Sequence, residues 1–180
     1  LKSFRWYSAQ KFFAQPLPSP IWRWLQQAHL TQAICSQYQH QLQVISQGQS
    51  KILFEEAQLL PEDSNPVWIR EICHIGDNQP LVYARVTVPN KTYQEFADDF
   101  NALQNRPIGD TLLFKNPDVL RSTFHYALIH DAAPFYEQSC KLLGLAPEFY
   151  ARYSLFTWKT YPLLITEIFT PDLKRWKTIA

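Results

Sequence analysis

Trp68-Ile-Arg-Glu-Ile-Cys-His-Ile75, then Gly76-Asp-Asn-Gln-Pro80, then Leu81-Val-Tyr-Ala-Arg-Val-Thr-Val88 is the stretch that decides the fold. Both outer runs are rich in β-branched and aromatic residues, which suit a pleated, buried surface. Between them, Asp77 and Asn78 tolerate the positive φ that a two-residue hairpin turn demands. With those two residues as the turn, Gly76 pairs with Gln79, and counting down the ladder sets Arg70 opposite Arg85. In that register Trp68, Ile72, Leu81 and Tyr83 share the face of the two arginines.

Working outward, the C-terminal part repeats the arrangement. Phe149 to Trp158 and Leu163 to Phe169 are two more β-rich runs, and a turn at Lys159-Thr160 sets Arg152 opposite Glu167. On the N-terminal side, Gln41 to Val44 alternates with period two and reads as a strand. Ser19-Pro20 is a helix entrance, with a capping hydroxyl and then proline in the first turn. Ile21, Trp24, Leu25 and Ala28 follow at helical spacing, and Thr31 can cap a second short helix toward Tyr38. Between the hairpins a helix is expected over Tyr93 to Phe100, a turn at Arg106-Pro-Ile-Gly109, a strand over Leu120 to Leu128 and a helix over Pro134 to Leu143. The sum is an α+β domain, a predominantly antiparallel sheet with helices packed on it. Nothing marks a linker or a repeat, so 1–180 reads as one domain.

Charge placement carries the functional reading. Two arginines directly opposite on one face repel. Burying them among apolar neighbours requires an anionic partner, because an isolated charge away from water is costly. Glu167 can supply part of that compensation and a bound carboxylate the rest, which the planar guanidinium can grip with two parallel hydrogen bonds. The plainer reading is a surface hairpin whose arginines reach solvent, with Arg152–Glu167 an exposed pair worth about 0–1 kcal/mol. The first gains from three arginines and a glutamate interrupting otherwise apolar strands.

Composition removes several classes. Of 180 residues 46% are hydrophobic, which excludes disorder, and a net charge of +1 offers no global field for nucleic acid or an anionic membrane. Three widely spaced cysteines suggest neither a disulfide framework nor a zinc site, so a cytoplasmic location is expected. Lys2, Arg5 and Lys11 are followed by prolines rather than an apolar run, so no signal peptide is read. The Gln-rich Trp24 to Ser50 stretch could not cross a bilayer without unmet amides. The absence of methionine points to a true start upstream, or to one that has been removed.

Six blocks, in order, resemble the chorismate pyruvate-lyases of bacterial ubiquinone synthesis: Trp68-Ile-Arg-Glu-Ile72, Gly76-Asp-Asn-Gln-Pro80, Ala84-Arg-Val-Thr-Val-Pro89, Arg106-Pro-Ile-Gly109 with Leu113-Phe114, Ala151-Arg-Tyr-Ser154, and Pro162 to Pro171. A weaker match reaches back to Ala28-His-Leu-Thr31. The resemblance implies a compact antiparallel sheet with a ligand site under helical flaps. It also implies conversion of chorismate to 4-hydroxybenzoate and pyruvate without metal or organic cofactor, in a monomer with no nucleic-acid partner. Carried over by position, Arg70 matches the arginine that holds a carboxylate and Glu167 the acid at the far end of the ring. Leu30 and Ile108 match positions whose backbone contacts the ligand, and Arg85 and Arg152 match further pocket arginines. Arg70, Arg85 and Glu167 are therefore the candidate catalytic residues.

The chain departs from that pattern in places. Leu30 and Ile108 replace other apolar residues, Tyr150 stands for a tryptophan and Tyr153 for an arginine. The segment Ile129 to Glu148 is longer than in compact members, which bears on the second flap and on pocket access. The rival from another class is a non-catalytic small-molecule sensor of the same fold, as in effector domains of transcription regulators. Such a regulator would normally carry a DNA-binding helix-turn-helix domain ahead of the sensor, and the stretch before Trp68 reads as too small to hold both, which favours the enzyme as the expectation.

Other residues have plainer readings. His125, His130 and Asp131 lack metal-ligand spacing and read as surface or satisfied groups. His74 either lines the pocket or packs near the turn. Cys73 reads as a buried, inert thiol, and Trp22, Trp24 and Leu25 read as core. Lys174-Arg-Trp-Lys177 is a solvated basic end.

Overall fold

A computed structural model describes residues 3–180. In chain order the elements are β1 (Tyr7–Ser8), α1 (Ala9–Phe12), α2 (Ile21–Leu25), α3 (Leu30–Gln37), β2 (His40–Ser50), α4 (Phe54–Ala57), β3 (Val67–Gly76) and β4 (Gln79–Pro89). They continue with α5 (Asn90–Glu95), α6 (Ala97–Asn101), a π-helical turn at Gly109–Leu113, β5 (Val119–Arg121), β6 (His125–His130), α7 (Tyr136–Leu143), β7 (Glu148–Trp158) and β8 (Tyr161–Phe169), then a 3₁₀ turn at Leu173–Arg175. The strands form one antiparallel sheet in the order β1-β6-β7-β8-β4-β3-β2, with β5 pairing on β7. The α+β architecture read from the sequence is the one observed. No helix among the described residues is long and apolar enough to cross a membrane.

Both hairpins turn where the sequence places them. Asp77 and Asn78 take φ of 49° and 64°, and Lys159 takes 57°. In the β7–β8 hairpin the pairing continues without interruption, and Arg152 lies opposite Glu167. The β3–β4 ladder departs from the expected count. Gly76 pairs with Gln79 and Ile75 with Pro80, but His74 pairs with Val82, leaving Leu81 as an inserted residue, a β-bulge. Every later pair slides by one, so Arg70 faces Val86 and Arg85 faces Glu71. A one-residue slip turns a side chain to the other face of the sheet. Arg85 and Tyr83 therefore leave the face of Arg70, and no two arginines stand opposed.

Leu81 explains the bulge. Its side chain is fully buried in the cluster of Trp24, Leu25 and Tyr38, and its carbonyl accepts from Thr170 N–H at 3.0 Å. Gly76 makes room for it: a Cβ there would sit 2.6 Å from Leu81 Cδ1 and 2.8 Å from Tyr38 Cγ.

Helix boundaries differ from the sequence reading where the helices are short. The helix expected over Tyr93 to Phe100 is two, broken at Phe96. Pro20 rather than Ser19 precedes α2, which ends before Ala28, and His29 rather than Thr31 stands at the entrance of α3. The strand expected over Leu120 to Leu128 is β5 and β6. Trp22 is exposed while Trp24 and Leu25 are core. Segments of four or five residues are too brief for periodicity to fix their ends.

Both faces of the sheet are covered. One packs against α2 and α3 (cluster of Ile21, Trp24, Leu30, Ile34) and, further along, against α5, α6 and the π turn (cluster of Trp68, Phe96, Phe100, Ile108, Trp158). The other packs against α7 around Cys73, Tyr83, Phe149 and Ile168. The long Ile129 to Glu148 segment thus builds α7 on the second face.

Candidate active site

Where the two clusters of the first face meet, they leave a cavity of about 40 Å³. Its floor is the sheet: Ile72 and His74 from β3, Ala84 and Val86 from β4, Ile165 and Glu167 from β8, Ser154 and Phe156 from β7. Strand alternation and the shifted register put these residues on one side together. The roof is made by Ala28, Leu30 and Thr31 at the start of α3, and by Pro107, Ile108 and Gly109 ahead of the π turn, with Phe114. The two roof pieces touch each other. Gln32 Nε2 donates to Asp110 Oδ1 at 3.1 Å, and His29 packs edge-on to Phe114 with ring centres 4.6 Å apart.

Arg152 and Glu167 form the most enclosed ion pair on this side. Arg152 is fully buried and its Nε donates to Glu167 Oε2 at 2.5 Å. Its Nη1 donates to the carbonyls of Leu25 at 2.8 Å and Gln27 at 2.7 Å, which ties the α2–α3 connection to the sheet. Nη2 is buried without a partner among the described residues. The Phe124 ring lies 3.9 Å from the guanidinium carbon, a favourable cation–π stack. Arg152 thereby fixes the Glu167 carboxylate at the cavity wall.

Arg70 stands in β3 two residues before Ile72, 1% exposed. Its Nη1 donates to Gln47 Oε1 at 2.7 Å, and Nη2 to the carbonyls of Gln104 at 2.6 Å and Arg106 at 3.0 Å. These bonds clamp the loop that leads into Pro107-Ile108-Gly109. All three acceptors are neutral, and among the described residues no carboxylate lies within 4.0 Å of it. Burial lowers its pKa. It is a guanidinium enclosed without a counter-ion.

Arg85 has the opposite surroundings and lies off the cavity, which corrects its expected place beside Arg70. It is held by Glu56 through Nε–Oε1 at 2.6 Å and Nη2–Oε2 at 3.2 Å, and by Glu71 Oε1 at 3.0 Å. Thr87 Oγ1 donates to Glu56 and Tyr83 Oη to Glu71. Burial opposes the Arg85 charge, but the hydrogen bonds and attraction of Glu56 outweigh it, and the pKa lies above the usual value. The physical reason for the misplacement is the Leu81 bulge.

Arg121 was not among the residues singled out from the sequence. It lines the cavity from β5, donates from Nη1 to the Ala28 carbonyl at 2.5 Å, and lies 4.3 Å over the Phe124 ring. Burial lowers its pKa, with Glu167 acting in the other direction. The available signal was an arginine inside a β-rich run, the same pattern that marked Arg70 and Arg152. His74 does line the cavity, and Cys73 is buried on the other face, its thiol pushed up by burial to about 11. His125 stacks on Tyr153 rather than facing His130.

A two-faced antiparallel sheet that encloses a small chamber under short helices defines the class as an α+β domain with an internal cavity. Solved structures share the fold. The effector domain of PhnF from Mycobacterium smegmatis superposes with a TM-score of 0.55 at 15% identity, covering 84% of this chain and 93% of that one. The C-terminal domain of the histidine utilization repressor from Pseudomonas syringae gives 0.52 at 14% identity, covering 79% and 99%. Sequence narrows the class. The family model described as chorismate lyase matches residues 1–178, and the chain belongs to that family. It is 27% identical over 164 residues to a probable chorismate pyruvate-lyase of Nitrosomonas eutropha, covering 88% of this chain and 92% of that protein. It is 27% identical over 168 residues to a chorismate pyruvate-lyase of Pectobacterium carotovorum, covering 89% and 84%.

Proposed function

We propose that this protein is a chorismate pyruvate-lyase that releases 4-hydroxybenzoate and pyruvate and supplies the aromatic ring for ubiquinone. The observation that carries the reading is the charge of the chamber side. Arg121 and Glu167 line the chamber, and Arg70 and Arg152 stand beside it on the same face of the sheet, so three guanidiniums meet a single carboxylate and two positive charges are left over. Chorismate carries two carboxylates, which is the complement.

In this reading Arg70 holds the ring carboxylate, Glu167 accepts from the C4 hydroxyl, and Arg152 keeps Glu167 aimed. Arg70 and Glu167 are two strands apart and two residues along, about 11–12 Å between Cα atoms at ordinary strand spacings. Both stand on the same face of the sheet, the one that the flaps cover. Arg121, to one side of that line, takes the carboxylate of the enolpyruvyl group, and the backbone at Leu30 and Ile108 closes over the ring. Arg85 acts from behind the sheet, as part of the frame.

The chemistry asks little beyond this. The C3–O bond breaks and its electrons leave with the enolpyruvate, C4 loses its hydrogen, and the methylene carbon of the leaving group gains one. Electrons and atoms balance without an oxidant or reductant, which supports a cofactor-independent reaction, and ring aromatisation supplies the driving force. Fixing the side chain over the ring and stabilising charge on the departing oxygen are the terms left to the protein. The test is incubation with chorismate, reading 4-hydroxybenzoate by ultraviolet absorbance and pyruvate by a coupled dehydrogenase. Both products should form in equal amounts. The fold of the regulator effector domains supports a sensor as the second reading. Tight binding of 4-hydroxybenzoate with no pyruvate released would favour it.

A further inference from the structure

His74 has the placement of a ligand contact, although neither its position near a turn nor its residue type asks for one. It is 3% exposed, and its ring lines the cavity. Its Nδ1 lies 3.0 Å from Nε2 of His40, at the start of β2. His40 Nδ1 in turn lies 3.4 Å from the thiol of Cys35 on α3. This is a hydrogen-bonded line from the surface of the flap helix to the chamber. Nε2 of His74 bonds no described residue and is the ring nitrogen left for whatever fills the chamber.

The polarity of the line follows from Glu167. Ion-paired to Arg152, that carboxylate only accepts, so a hydroxyl beside it must donate its hydrogen there. The hydroxyl oxygen then has only lone pairs to offer, and a neighbour completing its bonding must be a donor. His74 serves if Nε2 carries the hydrogen and Nδ1 the lone pair. His40 must then donate from Nε2, and its Nδ1 must accept from the Cys35 thiol. The three contacts form one consistent chain of donors. His74 on β3 and Glu167 on β8 both line the cavity, two strands apart and two residues along, with the small Ala84 on the strand between them.

We infer that His74 is a specificity-determining residue, donating from Nε2 to the phenolic oxygen of the bound aromatic acid, with its tautomer set by His40 and Cys35. Burial holds His74 neutral, its pKa lowered to about 3, with His40 and Arg152 acting in the same direction. A neutral donor suits an oxygen that must not be mistaken for a carboxylate. The inference rests on the lyase reading for the identity of the ligand.

The experiment compares dissociation constants of 4-hydroxybenzoate and benzoate for the parent, His74→Leu and His74→Gln. Benzoate keeps the carboxylate but has no hydroxyl. His74→Leu should weaken 4-hydroxybenzoate about 10-fold and leave benzoate within 2-fold, while His74→Gln restores most of the difference. A structural role would weaken both ligands alike, and that outcome, or no change in either, overturns the inference. On unmodified protein, long-range ¹H–¹⁵N spectra should show His74 protonated at Nε2 and shifted by 4-hydroxybenzoate but not by benzoate. An Nδ1–H tautomer overturns it as well. If the parent binds 4-hydroxybenzoate and His74→Leu is silent, only the inference falls. If the parent binds neither acid and leaves chorismate intact, the lyase reading falls and takes it along.

Discussion

Arg70→Met separates the chamber's binding charge from its scaffold. Methionine keeps much of the apolar stem and removes the guanidinium. In the free protein two effects oppose. An uncompensated buried cation disappears, which relieves desolvation. The Gln47 side-chain oxygen and the Gln104 and Arg106 carbonyls lose their donor, at about 1–3 kcal/mol for each that stays dry. The free variant should therefore melt within several degrees of the parent. Ligand binding has no such cancellation. A charge-assisted hydrogen bond from Arg70 to a carboxylate contributes up to about 3 kcal/mol, on the order of 100-fold in Kd. At a 4-hydroxybenzoate concentration 100 times the parent Kd, the parent gains about 2.7 kcal/mol, whereas the variant gains roughly RT ln 2, about 0.4 kcal/mol. For a domain of this size 1 kcal/mol moves Tm by about 2–4 °C. The ligand-induced shift should thus fall from about 5–11 °C to about 1 °C in a thermal melt, with calorimetric titration giving Kd directly. A variant that keeps the parent's ligand shift would remove Arg70 from the site and with it the carboxylate argument.

Glu56→Gln is the contrasting case: it strips Arg85 of its closest counter-ion and should cost about 2–4 kcal/mol in urea unfolding, yet leave the 4-hydroxybenzoate Kd unchanged, since the pair lies on the other face. Glu167→Gln should lower turnover of chorismate at least 100-fold and narrow the preference for 4-hydroxybenzoate over benzoate; unaltered steady-state kinetics would contradict the site. Gly76→Ala drives a methyl into Leu81 and the Tyr38 ring, which Arg175 and Lys177 hold in place. A loss of about 1–3 kcal/mol is expected by chemical denaturation, and a neutral result would show that the bulge can relax. His74 has a folded pKa lowered to about 3, so the unfolded chain takes up a proton that the folded one refuses. Its contribution to stability is complete above the ordinary histidine pKa near 6.5 and is lost as pH falls from there toward 3. His74→Leu should accordingly show a flatter loss of stability between pH 6.5 and 4 than the parent, measured by melts across that range.

The sequence was most legible where local chemistry alone sets geometry. Asp77, Asn78 and Lys159 take the positive φ that two-residue turns use, and the uninterrupted β7–β8 ladder carried the Arg152–Glu167 pairing to the right residues. The β3–β4 ladder failed for a tertiary reason. Leu81 is an ordinary strand residue by propensity, and it is extruded because Tyr38, Trp24 and Leu25 bury it and Thr170 takes its carbonyl. None of those partners is near it in sequence. One inserted residue was enough to move Arg85 from the expected site into an ion cluster with Glu56 and Glu71. Arg121 was missed for a similar reason: β5 is three residues long, and it reaches the cavity by pairing with β7. The helices were legible as positions but not as lengths, since four- and five-residue segments are stabilised by packing rather than by their own periodicity.

The two faces of the sheet differ in charge, and the difference bears on what the chamber is for. Behind the sheet, Glu56 and Glu71 outnumber Arg85 and leave one negative charge in excess, with every partner in hydrogen-bonding contact. In front, among the described residues, Arg70 has no carboxylate, Arg152 has a bare Nη2, and Arg121 is held by a carbonyl, a distant hydroxyl and aromatic rings. Through roughly 10 Å of protein, one opposite charge returns only about 2 kcal/mol at an effective dielectric near 20, so the front stays unbalanced. Such a surplus is tolerated where a ligand completes it. A dianion completes it fully, a monoanion halfway. In the proposed reaction, cleavage divides the two carboxylates between 4-hydroxybenzoate and pyruvate, so the electrostatic match falls from full to half when pyruvate leaves. A sensor for a monoanionic aromatic acid has no need of the second surplus charge. Competition binding of chorismate and 4-hydroxybenzoate to Glu167→Gln, chosen so that turnover does not consume the dianion, should therefore favour chorismate, and increasingly so as ionic strength is lowered.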